Sequence, residues 1–260
     1  MRGRRIKLLG ALALACSTLA SCGADQRAVA PAPVARAAAP AVSLPDFPAD
    51  HTLAAPPAVG EEPPPAPVSV RRALLVGIDR APGSTTLTGA VSDAETTRDA
   101  LVRHGWSAES ITVLRDGEAT RAAILAAIAQ LAGVPSDGRV VFMFAGHTRR
   151  SGTQNQLLTA DGARLSAPAL ASALGAVKAP MWASFPTCYA AGFAVPGIVG
   201  PGRVVTFASA AAERAYEATW LQRSFLVEYM VHREMLGAWP APSVEQAFER
   251  AHAGLGRDYP

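Results

Sequence analysis

Apolar runs typical of buried strands alternate with helix-like segments along residues 69–260, and this alternation predicts an α/β domain with a mainly parallel sheet. The runs are short and continuous, as is typical of parallel strands that are buried on both faces. Parallel strands need right-handed crossovers, so helices are expected on both faces of the sheet. The predicted strands are Arg72–Ile78, Ile111–Leu114, Arg139–Phe144, Met181–Phe185 and Arg203–Phe207.

Each helix prediction rests on apolar residues that recur at helical spacing. Thr120 is a predicted N-cap, because its hydroxyl can accept a backbone N–H of the first helical turn, and Ile124 and Ile128 follow it on one face. A polar stretch with turn residues, Ser151–Asp161, separates the third strand from the next helix. The predicted helices are Ser92–His104, Thr120–Leu131, Ser166–Val177, Phe225–Leu236 and Ser243–Gly254.

The first 21 residues have the architecture of an export signal. Four basic residues precede an apolar stretch from Leu8 to Leu19, and small residues precede Cys22. The run Leu19-Ala20-Ser21-Cys22 resembles the lipobox of bacterial lipoproteins, in which the cysteine is acylated and becomes the mature N-terminus. We therefore predict a signal peptide at 1–21, lipidation of Cys22 and anchoring to the membrane of the bacterial cell envelope. An ordinary secretory signal or an N-terminal membrane helix is the alternative.

Residues 22–68 are predicted to be a disordered tether between this anchor and the domain. Eleven of the 46 residues from 23 to 68 are proline, against 10 in the 192 residues that follow. The segment has few large apolar groups, so burial cannot offset the entropy lost on ordering it. Residues 69–260 are long enough for one well-formed core, and we predict a single folded domain there.

Composition excludes several classes of function. The chain has a net charge of +3, but without the four basic residues of the signal it has 20 basic and 21 acidic residues, a net charge of −1. No nucleic-acid partner is therefore expected. Histidines and cysteines are too few for a zinc site. The glycine-rich phosphate and dinucleotide motifs and the Gly-x-Ser-x-Gly motif are missing from the sequence. We predict no cofactor and no metal.

Two segments that follow predicted strands carry the candidate chemistry, residues 144–148 and 185–192. In open α/β sheets, functional groups gather beyond the carboxyl ends of the strands. His147 in the first segment and Cys188 in the second are therefore a candidate base–nucleophile pair. Once Cys16 leaves with the signal and Cys22 is lipidated, Cys188 is the one cysteine of the domain. No disulfide is then expected, and the Cys188 thiol is a candidate reactive group.

The chain resembles the caspase/metacaspase family, in its bacterial caspase-like branch, over about residues 71–255. The order and spacing of several short segments carry the resemblance, and Cys188 follows His147 by 41 positions. It implies a three-layer caspase-like fold with helices on both faces of the sheet. The matching segments are residues 73–78, 87–94, 111–116, 146–147, 188–193, 207–210 and 215–217.

By resemblance, the domain is a cysteine-type endopeptidase that acts on a protein or peptide substrate, with Cys188 as nucleophile and His147 as general base and acid. A nearby imidazole raises the thiolate fraction and later protonates the leaving amine. The main-chain N–H groups of Thr148 and Cys188 are the candidate oxyanion donors. Asp93 matches an acidic position of the pocket that binds Arg or Lys at P1, the residue before the scissile bond. A cap or turn role at a helix start is the alternative for Asp93.

Three positions depart from the family pattern. Thr148 stands where the family has glycine, and threonine adopts a positive φ only at a cost. Ala145 replaces a serine, and Pro186 replaces an aspartate of the P1 pocket. We therefore expect cleavage after Arg or Lys rather than Asp, with a weakened preference. The alternative is a catalytically inactive caspase-like domain used for binding or scaffolding at the envelope. The sequence gives no indication of an oligomeric state.

Overall fold

The computed structural model describes residues 70–152, 154–218, 220–237 and 242–258. The predicted signal peptide at 1–21, the predicted tether at 22–68 and the predicted lipidation site Cys22 lie outside the described residues. The strands in chain order are β1 (Arg71–Gly77), β2 (Ile111–Arg115), β3 (Arg139–Ala145), β4 (Thr148–Ser151), β5 (Gln154–Leu158), β6 (Arg164–Ser166), β7 (Met181–Phe185), β8 (Arg203–Phe207), β9 (Glu217–Ala218) and β10 (Arg223–Ser224). The α-helices are α1 (Ala90–Arg103), α2 (Arg121–Leu131), α3 (Ala167–Gly175) and α4 (Val244–Asp258).

The five predicted strands form one parallel sheet in the order β2-β1-β3-β7-β8. The longest buried runs, β1, β3 and β7, become the three inner strands because both of their faces are covered. Along β1, Leu74 and Val76 pack into one core with α2 and α3, while Ala73 and Leu75 pack into a second core with α1 and α4. The predicted fold class, a three-layer α/β architecture with helices on both faces of a mainly parallel sheet, is confirmed and is consistent with a caspase-like fold.

The polar stretch after the third strand folds into a small antiparallel sheet of β4, β5 and β6. In its register Thr148 lies opposite Leu157, and Arg150 lies opposite Asn155. The first of these strands begins directly after His147. The small sheet therefore extends from the carboxyl edge of the main sheet at the position of the candidate base.

Helix boundaries follow from the groups that satisfy the terminal N–H groups. The Thr120 hydroxyl accepts the N–H of Ala123 at 3.1 Å, so the predicted N-cap of α2 is confirmed. The first helix begins at Ala90, two residues before the predicted start. A carboxylate from the loop after β1 explains the difference, because Asp79 Oδ1 accepts the N–H of Ala90 at 2.8 Å and that of Val91 at 3.3 Å.

A segment predicted as a regular helix, Phe225–Leu236, has π-helical geometry from Val227 to Leu236. A period of apolar residues cannot distinguish this geometry from an α-helix. The two-residue strands β9 and β10 pair as an antiparallel hairpin just before it. Within the ranges given above, no helix combines the length and apolar character needed to cross a membrane.

Candidate active site

The predicted base and nucleophile follow adjacent parallel strands. His147 comes two residues after the end of β3, and Cys188 comes three residues after the end of β7. These strands pair directly, with Met143 opposite Ser184. Both residues therefore lie at the carboxyl edge of the sheet, and both are half-buried. This is the edge at which ligands bind in open α/β sheets.

A threonine hydroxyl links the two strand ends. Thr187 is 3% exposed, and its hydroxyl donates to the carbonyl oxygen of Gly146 at 2.6 Å. The Thr148 hydroxyl lies 2.7 Å from the same Thr187 oxygen. Because the single proton of Thr187 is already used, Thr148 is the donor in this second bond. The residue before Cys188 is thus hydrogen-bonded to both neighbours of His147.

The imidazole of His147 is oriented by a main-chain carbonyl. Its Nε2 lies 2.6 Å from the carbonyl oxygen of Thr85, in the loop between β1 and α1. A carbonyl oxygen can only accept, so Nε2 carries the proton. The neutral ring then has its lone pair on Nδ1. Orientation of one ring nitrogen in this way leaves the other available as a base.

The segment Pro186–Gly192, here called the cysteine turn, is held by several elements. Tyr189 adopts a left-handed conformation with φ of 55°, and its N–H donates to the Glu213 carbonyl at 2.7 Å. The buried Ser209 hydroxyl donates to the Thr187 carbonyl at 3.2 Å and accepts the Ala190 N–H at 3.1 Å. The Cys188 thiol is 3.5 Å from the Ala215 carbonyl oxygen, to which it can donate. Every residue from 187 to 190 therefore has a contact outside the turn.

An aromatic cluster anchors the strand that precedes the cysteine turn. Phe185, the last residue of β7, is fully buried, and its ring stacks on Phe193 at 5.2 Å between centroids. Phe207 and Phe142 lie 5.8 Å from the same ring. This packing fixes the point from which the chain leaves the sheet toward Cys188.

Thr148 does not adopt the positive φ that its resemblance to a family glycine position raised as a question. It opens β4 with a negative φ, and the positive φ belongs instead to Gly146, at 152°. The Leu158 N–H donates to the His147 carbonyl at 2.9 Å. Hydrogen-bonded and non-hydrogen-bonded pairs alternate in an antiparallel ladder, so the Thr148 N–H points away from β5. That direction keeps this N–H available as an oxyanion donor.

Asp93 is buried, at 2% exposed, and does not cap its helix. Its Oδ1 accepts the main-chain N–H of Ser224 at 3.0 Å. Asp93 therefore lies in the first turn of α1 without capping it, because Asp79 takes the capping role. The pKa of Asp93 is raised from 3.8 to about 8, chiefly by burial and also by the nearby Glu217 carboxylate, while the hydrogen bonds from Ser224 and the nearby Arg223 guanidinium act in the opposite direction. The side chain is largely protonated at neutral pH.

Glu217 is a carboxylate near the candidate pocket residue Asp93 that sequence reasoning did not single out. This half-buried carboxylate accepts the N–H of Thr88 at 3.0 Å and that of Gly89 at 3.1 Å, just before α1. Its signal lay in the matching segment 215–217, to which no role had been given. It stands near Asp93. Pro186, at the position where the resembled family has an aspartate, is buried. Over the described parts of the chain, no group of three or more His, Cys, Asp and Glu side chains could hold a metal ion.

Comparison with known proteins gives likenesses among solved structures only. No protein-family model matches the chain, and no curated protein matches it. Among solved structures the chain is similar to protein GSU0716 from Geobacter sulfurreducens, with 19% sequence identity and a TM-score of 0.41. The match covers 45% of this chain and 50% of that chain, so this chain spans about half the length of GSU0716.

Part of the free energy of unfolding of the wild type should be lost as the pH rises, because of Asp93. Replacing Asp93 by asparagine should remove this loss. The folded protein keeps a proton on Asp93 up to about pH 8, whereas the unfolded chain releases it near pH 4. The free energy of unfolding contributed by this group therefore falls with pH across that window, by up to about 1.4 kcal/mol per pH unit. Urea unfolding of wild type and Asp93→Asn at several pH values measures the difference.

The control is Asp99→Asn, which changes an exposed residue of the same helix and should leave the slope unchanged. A difference between wild type and Asp93→Asn that stays constant from pH 5 to 8 would contradict the raised pKa of Asp93.

Proposed function

We propose that the domain is a cysteine-type endopeptidase with Cys188 as nucleophile and His147 as general base and acid. One observation carries this proposal: Thr187, the neighbour of Cys188, hydrogen-bonds to Gly146 and Thr148, the two neighbours of His147. A binding module does not need a thiol and an imidazole on two strand ends that are joined by hydrogen bonds. The Thr85 carbonyl, which favours a proton on Nε2, supports the role of Nδ1 as the base.

The proposed reaction uses these groups in two steps. In the first step Nδ1 of His147 takes the Cys188 proton, and the thiolate attacks the scissile carbonyl carbon. The N–H groups of Cys188 and Thr148 stabilise the oxyanion of the tetrahedral intermediate. Collapse of this intermediate breaks the C–N bond, and His147 gives its proton to the leaving amine. In the second step water, deprotonated by His147, attacks the thioester and releases the carboxylic acid and the thiol.

We propose that the substrate carries Arg or Lys at P1. Asp93 and Glu217 supply two carboxyl groups close to one another, and together they offset the loss of the family aspartate at Pro186. A cation that approaches Asp93 favours its ionised form and lowers the raised pKa of this side chain. Carboxyl groups whose pKa is raised by burial are common in functional sites.

Location at the envelope is a separate proposal. The basic and apolar segment before Cys22 supports export and lipidation at that residue, with residues 23–68 as a spacer to the domain. Expressed in a bacterial host with labelled fatty acid, the chain should incorporate label into the membrane fraction, and Cys22→Ala should abolish incorporation. Unmodified full-length protein in the cytoplasm would contradict this proposal.

A thiol-reactive peptidyl probe with Arg at P1 tests the enzyme. We expect covalent labelling of Cys188, and we expect His147→Ala to slow it at least a hundredfold, because proton transfer of this kind contributes about 10²–10⁴-fold. Mass spectrometry of the peptide that contains Cys188 measures the rate. His252→Ala removes an exposed histidine of α4 and is the matched control.

Probes that differ only at P1 test the specificity in the same assay. The probe with Arg at P1 should label Cys188 faster than the probes with Asp or Ala. Glu217→Gln should reduce this difference in labelling rate. Labelling that does not depend on His147, or no labelling at all, would contradict the peptidase and favour the scaffold. Faster labelling with Asp at P1 would contradict the basic pocket only.

A further inference from the structure

We propose that Asn155 is a positioning residue for the nucleophile: its side-chain amide, reaching from β5, holds the left-handed residue that follows Cys188. This inference rests on the proposed function, since positioning matters only if Cys188 reacts. Asn155 lies outside the segments that resemble the family and has no role in the dyad. It is, however, a buried polar side chain aimed at the cysteine turn.

The contact is short and excluded from solvent. Asn155 is 3% exposed, and its Nδ2 donates to the Tyr189 carbonyl oxygen at 2.5 Å. Tyr189 has a φ of 55°, which a residue with a Cβ adopts only at a cost. The amide bond to its carbonyl, together with the bond from its N–H to Glu213, holds Tyr189 in that conformation. The direction of the Cys188–Tyr189 peptide depends on this conformation.

A glycine in the cysteine turn makes room for this amide. A Cβ at Gly192 would lie 1.8 Å from Asn155 Nδ2 and 2.5 Å from its Cγ, closer than any contact allows. Gly192 has a negative φ, so the backbone does not itself require glycine. The requirement is for space. Gly192 also donates its N–H to the Tyr189 carbonyl at 3.0 Å, so Asn155 and Gly192 hold the same oxygen.

The same face of the small sheet contacts the chain on both sides of Cys188. Thr148 lies opposite Leu157, and Asn155 is two residues before Leu157, so the three side chains share one face. From this face the Thr148 hydroxyl contacts Thr187, and the Asn155 amide contacts Tyr189. The hairpin that begins directly after His147 is therefore hydrogen-bonded to residues 187 and 189. This arrangement fixes the thiol relative to the imidazole.

The pH profile of Cys188 alkylation tests the inference on the purified full chain. Mass spectrometry of the Cys188 peptide after reaction with iodoacetamide gives the rate constant at each pH, whether or not a peptide is cleaved. In the wild type His147 should depress the midpoint of the profile below the ordinary thiol value, near 8.5. Asn155→Ala should move the midpoint toward the value in His147→Ala. For hydrolysis of a peptide with Arg at P1, the same variant should lower kcat at least tenfold and change KM less than threefold.

Two further variants separate positioning from folding. Gly192→Ala should displace Asn155 from the other side and give the same shift, and the double variant with Asn155→Ala should be no worse than either one. Tyr189→Gly in the Asn155→Ala background should bring the midpoint most of the way back to the wild-type value, because glycine adopts the left-handed conformation without strain. Gln156→Ala removes an amide of the same strand and is the control.

The outcomes distinguish this inference from the proposed function. A wild-type profile identical to that of His147→Ala would contradict the peptidase. If the wild-type profile depends on His147 but is unchanged in Asn155→Ala, the role of Asn155 is overturned and the peptidase still stands. The same conclusion follows if Asn155→Ala shifts the midpoint and Tyr189→Gly does not bring it back. A lowered melting temperature of Asn155→Ala with an unchanged profile would make Asn155 purely structural.

Discussion

The Thr187 hydroxyl is the interaction on which the candidate site depends. Parallel pairing of β3 with β7 brings the two strand ends to about 4.8 Å, but it does not fix the residues beyond them. Thr187 does so through Gly146 and Thr148, and its own side chain is buried. Loss of this hydroxyl would leave the buried Gly146 carbonyl without the donor it has here, which costs about 1–3 kcal/mol.

The site combines this rigid edge with two acidic side chains in unlike environments. Glu217 accepts two main-chain N–H groups before α1, whereas Asp93 is buried against Ser224 with a raised pKa. Stability alone would favour an uncharged side chain at position 93. An ionisable group retained against its desolvation is the kind of local conflict that functional sites show. The Arg223 guanidinium already lies near Asp93 and lowers its pKa, but it offsets only part of the effect of burial.

The main sheet could be predicted from the sequence because its strands are continuous apolar runs. Met181–Phe185 and Arg203–Phe207 have the predicted bounds. The supports of the site could not be predicted, because they join residues that are distant in the chain. Glu217 contacts Thr88 across 129 positions, and Asn155 contacts Tyr189 across 34. Such side-chain contacts leave no period in the sequence, and strands of two residues such as β9 and β10 leave none either.

The most direct test of the central claim is the rate of Cys188 alkylation against pH in Thr187→Val, which keeps the shape of Thr187 and removes its hydroxyl. We predict that the profile loses its dependence on His147 and moves to that of an ordinary thiol, while Thr187→Ser keeps the wild-type profile. A folded Thr187→Val protein that retains the His147-dependent profile of the wild type would show that the Thr187 hydroxyl does not couple the two residues.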